Sequence, residues 1–376
     1  MRLVFLLSQL LLLAACGRPD PGTVSGTVST PEPAVDASVA LEQVFDEYFE
    51  ASLELDPVRA TSIGDDRYND RLAIRISVDH REKSLALEQR YLERLLAIDR
   101  AALDEQEQLS YDIFRLQREW NIEGAAFPSP LQPINQFYSF TNSFVRLGSG
   151  RGLHPFETVD DYEDWLGRVD DFVVYVDTAI DNMQQGAAAG IVQPRVLMQK
   201  VVPQLESQVV DSAAESGFYA PVENMPADFS EADRERLTAE FTDAIEKKIL
   251  PAYARILNFV SDDYMAAARD TVGLFALPNG REWYEYLVRV RTTTDLTPEE
   301  IHQIGLNEVE RIHAEMRQVM EEVGFDGTLD EFFEFAATDP QFFYATPAEL
   351  IEGYRDMAAE VAEANKGLFE GFPETA

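Results

Sequence analysis

Cysteine is nearly missing from this chain. Cys16 is the only one in 376 residues, so no intramolecular disulfide can staple the fold. Histidine is almost as scarce. His80, His154, His302 and His313 are the full complement, and none is followed by glutamate, which excludes the H-E-x-x-H zinc helix. His302 and His313 share one predicted helix. Eleven positions at ~1.5 Å of rise separate them by roughly 16 Å, too far for one ion whose ligand bonds are about 2 Å. Each histidine therefore reads as a helix-surface or cap-contacting residue, and no catalytic or metal-ligating residue is assigned. Basic charge is short as well, with 31 Lys and Arg against 68 Asp and Glu and a net charge of −37. That balance excludes a nucleic-acid partner and an anionic lipid surface, both of which need basic patches. No Gly-x-Ser-x-Gly elbow, phosphate-binding Gly-Lys-Ser/Thr loop or dinucleotide fingerprint occurs, so seryl-hydrolase and nucleotide-enzyme readings fall away. Adjacent carboxylates such as Asp160-Asp161 and Glu321-Glu322 are expected by chance among so many acids.

What is present begins with a leader. Met1-Arg2 is followed by the apolar run Leu3 to Leu13, too short to span a bilayer as a mature helix. The sequence Leu13-Ala14-Ala15-Cys16-Gly17 resembles the bacterial lipobox, which implies a signal peptide over 1–15, lipid on Cys16, and a membrane contact through that lipid. By the same resemblance, Gly17 in place of an aspartate implies the periplasmic face of the outer membrane. Residues 16–40 are rich in Pro, Gly, Ser, Thr and Ala, without aromatics or periodicity. Such a segment cannot offset its ordering entropy and reads as a disordered tether.

Beyond the tether the periodicity is helical, and the expected class is all-α with few or no strands. Leu41, Val44, Phe45, Tyr48 and Phe49 mark one stripe up to Pro57, and Leu109, Ile113, Phe114, Leu116 and Trp120 mark another. Phe127 to Gly152 reads as a long irregular loop whose aromatics argue against disorder. Long helices are expected over Thr158–Gln185, after Pro194, and from Ser230 to about Tyr264 with a kink or break at Pro251. Thr297-Pro298-Glu299-Glu300 is a capping box with proline at the first helical position. Behind it Ile301, Ile304, Val309, Ile312, Met316 and Val319 form an expected buried stripe. Domain bounds are placed at 41–272 and 273–376, with GLFALPNG at 273–280 as a connector.

Several stretches together resemble the bacterial family catalogued as domain of unknown function 885. They include Phe45-Asp46-Glu47-Tyr48, Asp56-Pro57, Ala60-Thr61-Ser62-Ile63-Gly64-Asp65, Leu109-Ser110-Tyr111-Asp112, His154-Pro155-Phe156 and Thr292-Thr293-Thr294-Asp295 before the capping box. The resemblance implies a helical N-terminal body of a gluzincin-like, metallopeptidase-like lipoprotein. Its metal-dependent hydrolysis of peptide or amide bonds would use zinc held by a His-Glu-x-x-Pro-Gly-His-His element. That element has no counterpart here, so residues 273–376 are expected to lead toward an absent metal-binding half. The chain is accordingly expected to be a truncated or split member, inactive alone and without a cofactor of its own. A separately encoded C-terminal half would complete it for a peptide substrate. The rival expectation is a non-catalytic, lipid-anchored protein that binds a peptide or partner. Candidate cleft residues are Thr292, Thr293, Thr294 and Asp295, with Tyr284 and Arg289 upstream and Asn135 in the aromatic loop. Thr and Asp before a helix are equally good loop and capping residues.

Overall fold

The computed structural model describes residues 36–369. The leader, Cys16 with its expected lipid, and the tether up to residue 35 lie outside the described residues, as do residues 370–376. Among the described residues there is no β-strand. No helix among them is long and apolar enough to cross a membrane.

The chain divides into two compact units at Ala268/Arg269. The first opens with α1 (Ala37–Leu55), capped by Asp36, whose carboxylate accepts from the Ser38 N–H. Helix formation thus begins inside the expected tether, because an aspartate supplies the cap just ahead of the apolar stripe. Asp56 then closes α1 and caps α2 (Pro57–Ser62), with Pro57 in its first turn. α3 (Val78–Leu96) and α4 (Glu105–Gly124) follow, the latter entered by a capping box between Asp104 and Glu107. These helices enclose a small core of Leu41, Val44, Tyr91, Leu95, Leu103 and Tyr111. At its edge the Arg118 guanidinium pairs with Glu88 and lies 4.0 Å from the Tyr48 ring centroid and 4.5 Å from that of Phe114. The Tyr48 hydroxyl donates to Glu88 at 3.0 Å. Lysine cannot lay a planar, delocalised cation against both rings while bonding the carboxylate. Arg118→Lys should therefore lose about 1–2 kcal/mol, read as a lower denaturant midpoint. An unchanged midpoint would contradict this account.

α5 (Phe140–Gly148) corrects the expectation of an irregular loop over 127–152. Thr141, Phe144, Leu147 and Gly148 bury one face of a nine-residue helix, which the flanking prolines and glycines obscured. α6 (Val159–Ala189) is the axis of the larger core. Its stripe of Tyr162, Trp165, Val169, Phe172, Val176, Ala179 and Met183 is buried, and Gly190 ends it in the left-handed conformation at φ 74°. Phe144 of α5 stacks on Phe172 with ring centroids 3.9 Å apart. α7 (Arg195–Glu206) and the short α8 (Ala220–Glu223) lead to a long rod made of α9 (Glu231–Ala244), α10 (Leu250–Asn258) and α11 (Met265–Ala267).

Two π-helical turns, Ile245–Ile249 and Phe259–Tyr264, join those three segments. The first lies just before Pro251, where a kink or break was expected. Proline lacks an N–H and its ring crowds the carbonyl four residues back. Widening the preceding turn, with the Leu250 N–H bonded to the Ile245 carbonyl, relieves that crowding and lets helix resume at once.

The second unit contains α12 (Gly280–Thr292), α13 (Pro298–Glu322), α14 (Leu329–Thr338) and α15 (Pro347–Asn365). The Thr297–Glu300 capping box forms as its spacing predicts, and Thr346 caps α15. The stripe behind the box is not buried. Ile304, Val309, Ile312 and Val319 are exposed, Ile301 and Met316 half-buried, and only Met320 of α13 is buried. Tyr354, Met357 and Val361 of α15 are exposed as well. The periodicity of α13 and α15 is amphipathic, but nothing among the described residues covers those faces.

Candidate functional site

The first unit holds a cavity of about 830 Å³, within the usual range for ligand sites. Its walls come from the α1–α2 corner, the 72–75 segment, the Pro133–Phe144 stretch, the turn after α5, and Tyr175 of α6. Asn135 shapes one wall without lining the cavity. Its side-chain oxygen accepts the N–H groups of Phe137 (2.8 Å) and Tyr138 (2.7 Å), and its amide nitrogen donates to the Tyr138 carbonyl. That turn holds the two rings 75% and 86% exposed at the cavity wall. Gln204 of α7 anchors the same loop by donating to the Gln136 carbonyl at 3.0 Å and accepting from the Asn142 amide. In this loop Gln132 Nε2 and Gln136 Oε1 are buried without a hydrogen-bond partner, leaving polar capacity that the fold does not use. Phe140 stacks on Tyr175 at 4.2 Å, closing the apolar side.

The lining is also cationic. Arg75, Arg146 and Arg151 all line the cavity, and its one acid, Asp56, pairs with Arg75 at 2.6 Å. Three positive charges against one negative leave the lining at +2 in a chain of −37. The turn that brings Arg151 back toward α5 depends on Gly152. A Cβ there would fall 1.7 Å from the Arg146 carbonyl oxygen, so only glycine permits this approach.

Behind the cavity wall lies a buried polar cluster that periodicity alone did not single out. Arg168 of α6 is fully buried yet, among the described residues, hydrogen-bonds no carboxylate. Its guanidinium donates to the Arg71 carbonyl (3.0 Å), His154 Nδ1 (2.8 Å) and the Thr61 hydroxyl (2.5 Å). His154 Nε2 in turn meets the Asp161 carbonyl at 2.7 Å. A carbonyl only accepts and a guanidinium only donates, so His154 is neutral with its proton on Nε2. Burial, reinforced by the neighbouring Arg168 charge, pushes its pKa down to about 4. The Leu72 N–H donates to Asp171 at 2.8 Å. Gly167 lets this strand-like segment lie against α6, since a Cβ would stand 2.6 Å from the Asp70 carbonyl. The cluster thus ties α2, the 68–76 segment and the His154 turn to α6, and these carry the wall residues Leu72, Arg75 and Leu153. The available signal was an arginine on the buried stripe of α6, between Trp165 and Phe172.

The remaining sequence candidates sit elsewhere, in the second unit. Thr292, Thr293, Thr294 and Asp295 are exposed. Thr292 bonds the Val288 carbonyl and the Thr294 hydroxyl, while Thr293 ends α12 at φ 54°. Tyr284 packs beside Phe275 with centroids 5.1 Å apart, and Arg289 lies over the Tyr286 ring. None of these residues lines the cavity of the first unit. Among the described residues no group of three His, Cys, Asp or Glu could hold a metal. The residues present do not fit a zinc site, since both ring nitrogens of His154 are engaged and the other histidines stand apart.

A family model described as "Bacterial protein of unknown function (DUF885)" matches residues 57–376. A solved structure described as the "putative lipoprotein" from Colwellia psychrerythraea is similar, with a TM-score of 0.78 at 19% identity. The similarity covers 90% of this chain and 61% of that one, so the chain spans about three-fifths of the solved relative. At that identity the likeness speaks to the fold alone. No curated protein matches.

Proposed function

The chain belongs to the DUF885 family, and from that premise we propose that it is the peptide-holding helical part of a metal-dependent hydrolase-like lipoprotein of the cell envelope. On this reading it has no hydrolytic activity of its own. The cavity beside α5 carries the proposal. Its volume of about 830 Å³ suits a short peptide stretch, and its lining offers rings, hydroxyls and guanidinium groups. The lining serines have no histidine, cysteine or glutamate beside them in that wall, so the cavity is built to hold rather than to cleave. The resembling family's chemistry is a zinc-bound water acting on a peptide or amide bond. We assign it to sequence outside this chain, farther along or on a separately encoded partner.

Two further observations support the reading. The exposed apolar faces of α13 and α15 are large enough in extent to want a covering polypeptide. The Leu13-Ala14-Ala15-Cys16 motif agrees with the solved neighbour's description as a lipoprotein, and we extend it to attachment at the periplasmic face of the outer membrane. A second reading, a non-catalytic lipid-anchored protein that binds a peptide or partner, is favoured by one fact: the cavity is complete within the first unit.

Metal analysis and a peptidase assay test the proposal. The purified chain, incubated with zinc and dialysed, should retain no stoichiometric metal and should not cleave oligopeptides. Stoichiometric zinc together with hydrolysis abolished by a chelator would overturn it.

A further inference from the structure

We propose that Arg146 and Arg151 form a receptor for a carboxylate carried at the end of an apolar body, the C-terminus of a peptide. This deepens the reading above and rests on the cavity holding a peptide. The argument begins with charge. In a chain of 31 basic and 68 acidic residues, an arginine is ordinarily satisfied by a nearby acid, as Arg75 is by Asp56. Arg146 and Arg151 are the exceptions inside the cavity. No carboxylate of the described residues lies within ion-pairing reach of either, although both line the cavity.

Their positions follow from the backbone. Arg146 sits in the last turn of α5, and Gly152 folds the following turn back onto the Arg146 carbonyl. Two guanidinium groups are thereby brought to one cavity whose single acid is taken by Arg75, and a bound anion would supply their missing counter-charge. Arginine presents planar paired donors that match a carboxylate, and positive charge within an acidic surface focuses the field on the cavity mouth. In the same lining Phe140 and Tyr175 supply a stacked apolar surface, and Phe137 and Tyr138 add two exposed rings. A ligand that satisfies both features carries a carboxylate at one end and an apolar side chain next to it. A peptide C-terminus and a fatty acid share that chemistry. The serines at 139, 143 and 149 in the lining favour the peptide.

Calorimetric titration of the full chain with three probes decides the matter. These are N-acetyl-Leu-Phe as the free acid, the same dipeptide as its C-terminal amide, and octanoate. The acid should bind at least about tenfold tighter than the amide, as expected for charge-assisted bonds, and tighter than octanoate. In the double variant Arg146→Gln/Arg151→Gln the acid should fall to the amide's affinity while the amide is unchanged. Both side chains are exposed and unpaired, so the variant should melt as the parent does. Equal binding of acid and amide by the parent would overturn the carboxylate assignment while leaving peptide holding intact. An acid preference surviving in the double variant would overturn the arginine assignment, and tighter binding of octanoate would overturn the peptide. Failure of both dipeptides to bind would overturn this inference and the peptide-holding reading together.

Discussion

Arg168→Met should lower the stability of the first unit by about 3 kcal/mol, although methionine fills much of the same volume and carries no charge to desolvate. Two effects compete. A buried guanidinium without a direct carboxylate partner is costly, and burial pulls the Arg168 pKa down to about 10, so removing it returns some free energy. Against this, Arg168 satisfies the Arg71 carbonyl, His154 Nδ1 and the Thr61 hydroxyl. Each acceptor left buried and unpaired costs about 1–3 kcal/mol. Two orphaned acceptors, the Arg71 carbonyl and His154 Nδ1, outweigh the relief of one desolvated cation that still feels Asp164, Asp70 and Asp171, while Thr61 keeps its bonds to Pro57 and Asn69. Trp165, one turn earlier on α6 and fully packed, reports on this region by fluorescence. With a urea dependence of ~3 kcal/mol per molar, the midpoint should fall by about 1 M at unchanged slope. Arg168→Lys should not rescue it, because a point charge with a single reach cannot serve three separate acceptors. A midpoint for the methionine variant within about 0.2 M of the parent would show that the cluster does not hold the cavity wall.

The same cluster explains what the amino-acid sequence disclosed and what it hid. The stretches that carried the family resemblance are mostly fasteners. Thr61 and His154 meet Arg168, Glu47 pairs with Arg94, Tyr48 bonds Glu88, and Asp112 pairs with Arg100. Each of these contacts joins residues that lie apart in the chain. They therefore mark the fold rather than a reaction. Helix starts were legible at Thr158, Ser230 and Thr297, where a capping residue stands just ahead of acidic first-turn residues. α5 was not, because its nine residues sit between proline-rich and glycine-rich flanks that dominate a local reading. The exposed face of α13 is the opposite case. Its period of three and four was plain, but amphipathicity says only that a face is suited to burial, not that this polypeptide supplies the cover. The cavity was half legible. Asn135 and the aromatics of its loop stood out, whereas Arg146 and Arg151 look like ordinary surface arginines until the turn at Gly152 brings them to one cavity.

His154 makes the stability of the first unit depend on pH in a predictable direction. The unfolded chain takes up its imidazole proton near pH 6.5, the folded chain only near 4. Between those values the unfolded state binds more protons, so stability rises with pH. The contribution is complete above about pH 6.5 and is lost as pH falls through about 4. A shift of that size corresponds to about 3 kcal/mol, and at 3% exposure the ring has little solvent to screen it. The physical cause is local. A protonated ring would turn an N–H toward the Arg168 guanidinium 2.8 Å away while losing its hydration. Asp164 and Asp171, whose carboxyls burial pushes up, act in the opposite sense, favouring the fold in acid. The parent curve alone therefore mixes these contributions. His154→Gln keeps a side-chain donor for the Asp161 carbonyl and cannot titrate. The difference between parent and variant in unfolding free energy, measured from pH 7.5 to 4 by Trp165 fluorescence, should change by about 3 kcal/mol in favour of the variant as the solution is acidified. A difference that stays flat across that range would mean the ring is accessible to protons in the folded state. The neutral, Nε2-protonated assignment, and with it the geometry of the Arg168 cluster, would then be wrong.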